Sequence, residues 1–407
     1  MMALSATNAL KSKSINLWVV FEEVRQNGPL PRIRISDATG LSRQATSDIV
    51  EELIDMGFLR QEKTRVRQVG KPPVPIALNP KGAFSFGFHV DEGRLAYVEQ
   101  NLLGEVIRGG DLAVARMDIE DVGELIKQQT ISMIESTRFK KSHFLGIGLA
   151  TPGPFGGSVI HPPHLAGWDG ALLRDHLERN LEYPVVLANE GQCAITAEAY
   201  FGETASKYTD FVYISLGKGL GSASMIDRMA FGGAYGNAGE FGHTIVVPNG
   251  NKCVCGKQGC LETYASMTSL KRFLNSHGDP VQSFAELEAR YSAENPIIAK
   301  WIQQAAEALR NGLSTLENLF EPETMMFGGD APIWLIDALF QMVQPLYPSL
   351  RRADCARPRL IRSEFGADAM PRGAAYLPVL AHLNPRFSAS SHRASLFSKP
   401  DGDSSDV

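Results

Sequence analysis

Apolar residues recur at helical spacing in three short stretches near the start of the chain. The predicted helices cover residues 15–27, 31–38 and 42–56. Ser42 is a suitable N-cap for the third helix, and Gly57 is placed to end it. The inward stripe of this third helix is predicted to consist of Ile49, Leu53 and Met56.

A strand-like segment after the third helix, a charged tip and a return strand over 76–78 complete the pattern of a winged helix-turn-helix. We assign it to residues 1–80. Polar side chains on the outward face of the third helix are types that reach base edges, and cations at the tip suit the phosphate backbone. A helical hairpin with a solvated polar face is the plain alternative, but the wing favours DNA binding. The predicted DNA contacts are Arg43, Gln44, Thr46, Ser47, Arg65, Arg67 and Lys71.

From Phe84 onward the chain alternates short apolar strands with helices. Three strands between residues 86 and 109 are predicted to form an antiparallel meander. Later strands end in glycine or polar residues, which favours an α/β body with its site at the strand ends. We assign this body to residues 81–385. The serine-rich stretch over 386–407 is predicted to be a disordered tail.

The composition is that of an ordinary globular protein, because 44% of the 407 residues are hydrophobic and 21% are charged. No apolar run is long enough to span a membrane and no secretory signal opens the chain, so we expect a cytoplasmic protein. Residues 1–80 carry 11 Lys and Arg against 8 Asp and Glu, which makes only this part basic and weakly indicates a polyanionic partner. Cys193 and Cys355 are predicted to be buried thiols of a reducing compartment.

One histidine and three cysteines lie between residues 243 and 260, with Glu240 and Glu262 just outside them. This donor set forms a closed tetrahedral shell for a structural Zn²⁺. Gly256 and Gly259 supply the tight turns that such a knuckle needs, whereas the alternative is a loop of free cysteines. The predicted metal ligands are His243, Cys253, Cys255 and Cys260.

The run from Glu240-Phe-Gly-His243 through Cys253-x-Cys255-Gly-x-x-Gly-Cys260-x-Glu262 resembles the signature of the ROK family of repressors, open reading frames and sugar kinases. The resemblance implies a sugar-kinase-like body with two ribonuclease-H-like lobes of the actin/hexokinase type, a structural zinc and a sugar-binding cleft. The Gly40-Leu41-Ser42 turn is similar to the winged helix of ROK repressors. The family's kinases lack such a head, so its presence favours a regulator.

The resemblance also implies which residues contact the sugar. Asn189 and Glu190 stand where ROK kinases have an Asn-Asp pair, whose Asp is the general base. His164 stands where the family has an Asn. Glu190 has a plain alternative as a carboxylate that stabilises the start of a helix. The implied sugar-binding residues are Asn189, Glu190, Glu240, His243, Glu262 and His164.

Two nucleotide-phosphate loops differ in how well they are kept. A family kinase opens with Asp-x-Gly-Gly-Thr, but here Asp91 and Glu92 replace the glycines and His89 replaces the leading Asp. A carboxylate at about 4–5 Å would repel a phosphate oxygen by about 3–4 kcal/mol at an effective dielectric near 20. The second turn, residues 217–221, keeps its glycines but carries Lys218. We therefore expect no phosphoryl transfer and no catalytic residue, with Glu190 as the relic of the base.

The sequence thus predicts a sugar-responsive transcriptional regulator, most simply a repressor. It is expected to bind operator DNA through the winged helix and a sugar effector in the ROK cleft, as a cytoplasmic, nucleoid-associated homodimer or homotetramer. The main alternative is a bifunctional ATP-dependent sugar kinase that also binds DNA. A second alternative is a DNA-binding scaffold that responds to no ligand.

Overall fold

The computed structural model describes residues 9–62, 73–153, 155, 167–234, 236–351 and 355–387. These residues form two compact units. The first contains the chain up to Thr151, residues 169–188 and the end of the chain from Ala374, and the second contains 152–168 and 189–373. Among the helices of the described ranges, none combines the length and apolar composition that crossing a bilayer requires.

Three helices and a small antiparallel sheet form the head, defined here as residues 9–78. This arrangement agrees with the predicted winged helix-turn-helix, although the first helix begins earlier than residue 15 and a short extra strand precedes the second helix. The sheet has the order β1-β3-β2. The elements are α1 (Ala9–Asn27), β1 (Leu30–Pro31), α2 (Arg32–Thr39), α3 (Arg43–Asp55), β2 (Leu59–Gln61) and β3 (Pro75–Leu78).

Local signals fix the turn between α2 and α3. Gly40 ends α2 with a φ of 70°, a conformation that other residues adopt at a cost. The Ser42 side chain accepts a hydrogen bond from the Ala45 amide at 3.2 Å and so caps α3 as predicted. The placement of Met56 in the core is wrong, since it is 39% exposed. The buried stripe of α3 is instead Thr46, Ile49, Val50 and Leu53.

The head packs directly on the rest of the first unit. The Gly82 backbone lies so close to the Gly57 carbonyl that a Cβ on Gly82 would stand 1.7 Å from its oxygen. Next to this contact, the Phe58 ring meets Phe21 of α1 edge-on at 6.1 Å. It also lies 5.6 Å from the ring of His382, near the end of helix α11 (Ala369–Leu383).

The first unit is built on a five-stranded sheet with the order β6-β5-β4-β7-β8. Strands β4, β5 and β6 form the predicted antiparallel meander, and β7 runs parallel to β4. The strands are β4 (Phe84–Asp91), β5 (Arg94–Asn101), β6 (Val106–Ala113), β7 (Phe144–Thr151) and β8 (Val185–Asn189), and the helices are α4 (Ile119–Ser136) and α5 (Gly170–Asn180).

The second unit contains another five-stranded sheet, with the order β11-β10-β9-β12-β13. Its first three strands are again an antiparallel meander, and β12 runs parallel to both β9 and β13. The strands are β9 (Phe211–Leu216), β10 (Leu220–Ile226), β11 (Met229–Ala230), β12 (Thr324–Gly328) and β13 (Leu360–Arg362), and the helices are α6 (Glu190–Phe201), α7 (Met267–Ser276), α8 (Phe284–Arg290), α9 (Pro296–Phe320) and α10 (Ile333–Met342).

The two sheets therefore share one strand order, in which the third, second and first strands are followed by the fourth and fifth. This repeat is the ribonuclease-H-like arrangement, so the predicted α/β, sugar-kinase-like body is confirmed. Helix α9 carries much of the second core because Trp301, Leu309 and Leu313 on it are almost fully buried. Burying a side chain such as Leu stabilises the fold by about 1.5–3 kcal/mol.

Candidate metal centre and ligand site

The four predicted metal ligands converge on one point of the second unit. Their donor atoms all lie within 4.8 Å of one another. Nδ1 of His243 is 3.4 Å from Sγ of Cys253, and Sγ of Cys255 is 3.6 Å from Sγ of Cys260. Zn–S bonds of about 2.3 Å at tetrahedral angles separate two sulfurs by about 3.8 Å. The cluster thus has the donors and the spacing to hold a metal ion.

Two glycines shape the loop that carries the cysteines. Gly256 and Gly259 have φ values of 88° and 84°, which other residues avoid. A Cβ on Gly259 would stand 1.7 Å from the Val247 carbonyl oxygen, so only glycine fits there. The Cys253 amide donates to the Lys257 carbonyl at 2.9 Å and closes the turn between the ligands.

Burial and the short distances between the thiols shift the pKa of each cysteine in the cluster. Burial and the neighbouring thiols raise the pKa of Cys260 to about 12, and burial also raises the pKa of Cys253. The pKa of Cys255 is lowered although burial opposes this, because the Lys257 amide and the other two thiols donate to its sulfur. Thiols that resist joint ionisation need a cation among them to become three thiolates, which fits a metal site.

His243 connects this cluster with a carboxylate. Its Nδ1 faces Cys253, while its Nε2 lies 3.8 Å from Oε2 of Glu240. Partial burial raises the pKa of Glu240, His243 counteracts the rise, and the charge of Glu262 adds to it. The two ring nitrogens of His243 therefore point to two different groups, as expected for a histidine shared between a metal and a ligand.

The other candidate residues gather along strand β10. A Cβ on Gly191, just after Glu190, would stand 3.1 Å from the Ser222 carbonyl oxygen. A Cβ on Gly239, just before Glu240, would stand 2.0 Å from the same oxygen. The start of α6 and the loop that carries Glu240 are thus held against one residue of β10; the contact of Gly239 requires glycine, and that of Gly191 is tight.

Glu262 reaches the same strand from the metal side. Its Oε2 accepts a hydrogen bond from the Leu220 amide at 3.3 Å, and it would stand 2.8 Å from a Cβ on Gly219. Gly242, next to His243, lies against the Leu220 carbonyl in turn. The structure therefore places Glu262, His243 and Glu240 around one end of β10.

Asn189 has a structural role at the start of α6. Its Oδ1 caps the helix by accepting from the Gln192 amide at 2.7 Å, which leaves its amide hydrogens for other partners. Nearby, Oδ1 of Asn237 accepts from the Phe155 amide at 3.0 Å. Asn189 and Asn237 both lie beside Gly153. No sequence motif points to Asn237, because it lies in a loop outside the recognisable patterns.

The turn between β9 and β10 is crowded by carboxylates. Oδ1 of Asp330, just after β12, would stand 2.1 Å from a Cβ on Gly217. Glu262 covers Gly219 on the same turn. Asp330 is not among the residues predicted from the sequence, although its place directly after Gly328-Gly329 is a usable signal. The glycines of this turn therefore lie against acidic side chains of the same chain.

The turn between β4 and β5 is short and open. It consists of Glu92 and Gly93 between the paired residues Asp91 and Arg94. Oδ1 of Asp91 accepts from the Glu92 amide at 2.7 Å. Gly93 has a φ of 81°, and nothing lies within 4 Å of a Cβ on it. The two predicted carboxylates therefore form the end of this hairpin itself.

The predicted DNA-binding residues divide into three groups. Arg43 and Gln44 are exposed and Ser47 is half-buried on the outward side of α3. The outward placement of Thr46 is wrong, because its side chain is completely buried among the apolar residues of α3.

Three of the predicted DNA contacts and one predicted sugar contact lie outside the described residues, namely Arg65, Arg67, Lys71 and His164. Cys193 is buried as predicted, whereas Cys355 is exposed.

A known repressor and a solved regulator structure are similar to this chain over most of its length. The xylose repressor of Caldicellulosiruptor bescii is 28% identical over 340 residues, which cover 78% of this chain and 84% of the repressor. The crystal structure of a ROK family transcriptional regulator, a homologue of the E. coli MLC protein, has a TM-score of 0.72 and 24% identity. It covers 95% of this chain and 98% of its own.

A kinase of the same fold matches a shorter part. The ROK family glucokinase of Streptomyces griseus, solved with glucose and AMPPNP, has a TM-score of 0.59 and 23% identity. It covers 72% of this chain and 99% of its own. The ROK family model itself matches residues 112–379, which is more than half of the sequence. This protein belongs to the ROK family.

Proposed function

We propose that this protein is a sugar-responsive transcriptional repressor. The head binds operator DNA through the amino-terminal end of α3, where Arg43, Gln44 and Ser47 reach base edges and phosphates. A sugar binds in the second unit beside β10 and changes the affinity of the protein for its operator. The repressor works in the cytoplasm, at the nucleoid, as a homodimer or homotetramer, because two heads are needed to read two half-sites.

The main support for this proposal is the share of this chain that each similar structure covers. The glucokinase uses 99% of its own chain to cover 72% of this one, whereas the regulator covers 95%. The head lies outside residues 112–379, which the ROK family model matches, and a phosphoryl-transfer enzyme does not need a winged helix-turn-helix. The similarity to a xylose repressor supports the same function.

The sugar is bound by carboxylates and amides that converge on β10. Glu240 and Glu262 accept from vicinal hydroxyls, and Nε2 of His243 meets a third oxygen. Glu190 and the free amide hydrogens of Asn189 complete the set from the start of α6, and His164 contributes as the sixth contact. Because Glu240 keeps 57% of its side chain exposed, a ligand can reach it without rearrangement of the loop.

The metal is Zn²⁺ held by His243, Cys253, Cys255 and Cys260. When bound, it supplies a structural cross-link and no open coordination position. The chain's own contribution is to fix the imidazole: Nδ1 is held towards Cys253, so Nε2 is aimed at Glu240 and the sugar. The metal thus orients the sensor and takes no part in chemistry.

The same geometry opposes nucleotide binding. A phosphate at the turn between β9 and β10 would meet the carboxylates of Asp330 and Glu262, and one at the turn between β4 and β5 would meet Asp91 and Glu92. Each such pair costs about 3–4 kcal/mol at an effective dielectric near 20. We therefore infer that the protein senses sugar without phosphorylating it.

The test combines a binding screen with an activity assay. A thermal-shift screen of monosaccharides, amino sugars and sugar phosphates should identify a ligand that raises the melting temperature of the wild type. Glu262→Gln should weaken that ligand by about tenfold, since one charge-assisted hydrogen bond contributes about 1.5 kcal/mol. Glu288→Gln, at an exposed position of helix α8 in the same unit, is the matched control and should bind normally.

Two outcomes would contradict the proposal. ADP release with the identified sugar at ordinary kinase rates would make the protein an enzyme. A sugar that binds but leaves the release of operator DNA unchanged would make it a scaffold with an unrelated ligand site.

A further inference from the structure

An ion pair joins α2 to the outward face of α3. Nη2 of Arg32, at the start of α2, contacts Oε1 of Glu51 on α3. Both side chains remain accessible, with 27% and 56% of their surfaces exposed. We propose that Arg32 controls DNA binding by shielding Glu51, and that unshielded carboxylates on α3 confine the DNA to the amino-terminal end of this helix. The inference rests on the proposed DNA-binding function.

The outward face of α3 is acidic over most of its length. One stripe contains Gln44, Asp48, Glu51 and Asp55, spaced by four, three and four residues. All four are exposed, and they lie opposite the buried stripe of the helix. A helix that enters a major groove turns this face towards the DNA. Three carboxylates would then approach two rows of phosphates.

Only the first turn of α3 is suited to a polyanion. Arg43 is exposed there, and the amino-terminal end of a helix carries a partial positive charge. Gln44 is held by a hydrogen bond from its Nε2 to Oδ1 of Asp48 at 2.8 Å, which fixes its amide and occupies the nearest carboxylate. The first carboxylate of the stripe is therefore already engaged.

Glu51 is the next carboxylate along the stripe, and Arg32 is its counterion. With Arg32 in place the pair has no net charge, so a phosphate can lie above it at little cost. Without Arg32 the carboxylate repels the phosphate backbone, and this repulsion is strongest at low ionic strength. Within the described ranges Asp55 forms no ion pair, and it marks the end of the helix that the DNA avoids.

This role differs from that of a simple phosphate contact. If Arg32 only contacted a phosphate, its loss would weaken binding whether Glu51 were present or not. If Arg32 shields Glu51, removal of both side chains should restore most of the affinity. A double-mutant cycle separates the two possibilities.

The experiment measures binding of the full chain to a mixed-sequence duplex of about 30 base pairs by fluorescence anisotropy, at about 50 and 200 mM NaCl. At the lower salt we expect Arg32→Ala to weaken binding about tenfold and Glu51→Ala to strengthen it about threefold. The double variant should return to within about threefold of the wild type. All differences should shrink at the higher salt.

Glu124→Ala, which removes the same charge from the exposed face of α4, is the control and should bind as the wild type does. Thermal unfolding of each variant checks that the head remains folded. A double variant as weak as Arg32→Ala, or an Arg32→Ala variant that binds normally, overturns the inference and leaves DNA binding intact. A wild type that binds no duplex at all overturns the proposed function together with it.

Discussion

The hairpins that open the two sheets occupy equivalent positions in a shared strand order. They differ in which part of the chain supplies the carboxylates at their turns. In the first unit the carboxylates of Asp91 and Glu92 belong to the turn itself, and the glycine beside them is open to solvent. In the second unit the turn contains Gly217 and Gly219, and the carboxylates beside it belong to Asp330 and Glu262, which are distant from the turn in the sequence.

The difference shows what a glycine in a turn signifies. Gly93 is needed for its backbone conformation, since its φ is 81° and the space around it is empty. Gly217 instead leaves room for the Asp330 carboxylate, which stands where its Cβ would be and would have to move aside for one. The turn of the second hairpin therefore contacts acidic side chains from distant parts of its unit, including the metal loop. The turn of the first hairpin is instead held by its backbone, since the Gly93 carbonyl accepts from the Val114 amide at 3.1 Å.

The largest expected effect is a loss of stability that reaches the second hairpin but not the first. Cys260→Ser removes a buried ligand and should lose the metal, with a cost of about 4 kcal/mol or more in the second unit. Hydrogen exchange should then accelerate in β9 and β10, because Leu261 next to this ligand packs in the core that contains Leu216. Exchange in β4 and β5 should stay near that of the wild type.

Cys355→Ser is the matched control for this variant, since the exposed Cys355 lies outside the cluster and should change neither metal content nor exchange. Equal loss of protection in both hairpins would refute the distinction drawn between them. Purified wild type without bound metal would refute the metal site itself.

A smaller effect compares the two glycines directly. Gly217→Ala should destabilise the protein by about 1–2 kcal/mol, because its Cβ would displace the Asp330 carboxylate, the movable end of a side chain. Gly93→Ala should cost about 1–2 kcal/mol through the left-handed conformation alone. Thermal unfolding measures both. Adding Asp330→Ala should recover most of the loss at position 217 and none at position 93, and recovery at both would show that the contact is not specific.

The smallest effect concerns a buried carboxylate in the second unit. Burial raises the pKa of Glu198 above the usual 4.5, even though Ser363 and the amides of Glu364 and Phe365 donate to its Oε1. Its contribution to stability is therefore complete below the unfolded pKa and is lost as the pH rises through the folded pKa. Glu198→Gln should remove this loss, so the variant should gain stability relative to the wild type as the pH rises above the unfolded pKa.

Chemical denaturation at several pH values measures this slope. Glu99 in the first unit is the comparison, because it is equally buried but paired with Arg108 at 2.6 Å. Glu99→Gln breaks that pair and should lose stability, so a gain in both variants would contradict the distinction.

The sequence was sufficient for features that depend on neighbours along the chain. The metal ligands lie within eighteen residues of one another, and the meander of β4, β5 and β6 follows from apolar runs separated by turns. Asp330 could not be placed in the same way, since it lies 113 residues after Gly217 in the sequence and meets it only because β12 pairs with β9. Contacts made by strand pairing have no periodicity to reveal them.

The head shows the same limit on a smaller scale. The helical period correctly predicted that Ile49 and Leu53 face inward, but it left the width of the buried stripe open. Packing of α1 and α2 against α3 extended the stripe to Thr46 and left Met56 outside. The boundary between core and DNA-facing surface was therefore set by tertiary contacts, which a single helix does not encode.

The orientation of His243 has a consequence for how the protein reports on the cell. One imidazole faces the thiols with Nδ1 and Glu240 with Nε2, so under the proposed function it would contact the zinc and the sugar at the same time. Whatever factor the metal adds to sugar affinity, the sugar must add to metal affinity. A loss of zinc would thus weaken the response of the proposed repressor to its sugar, and operator binding would depend on carbon and metal availability together.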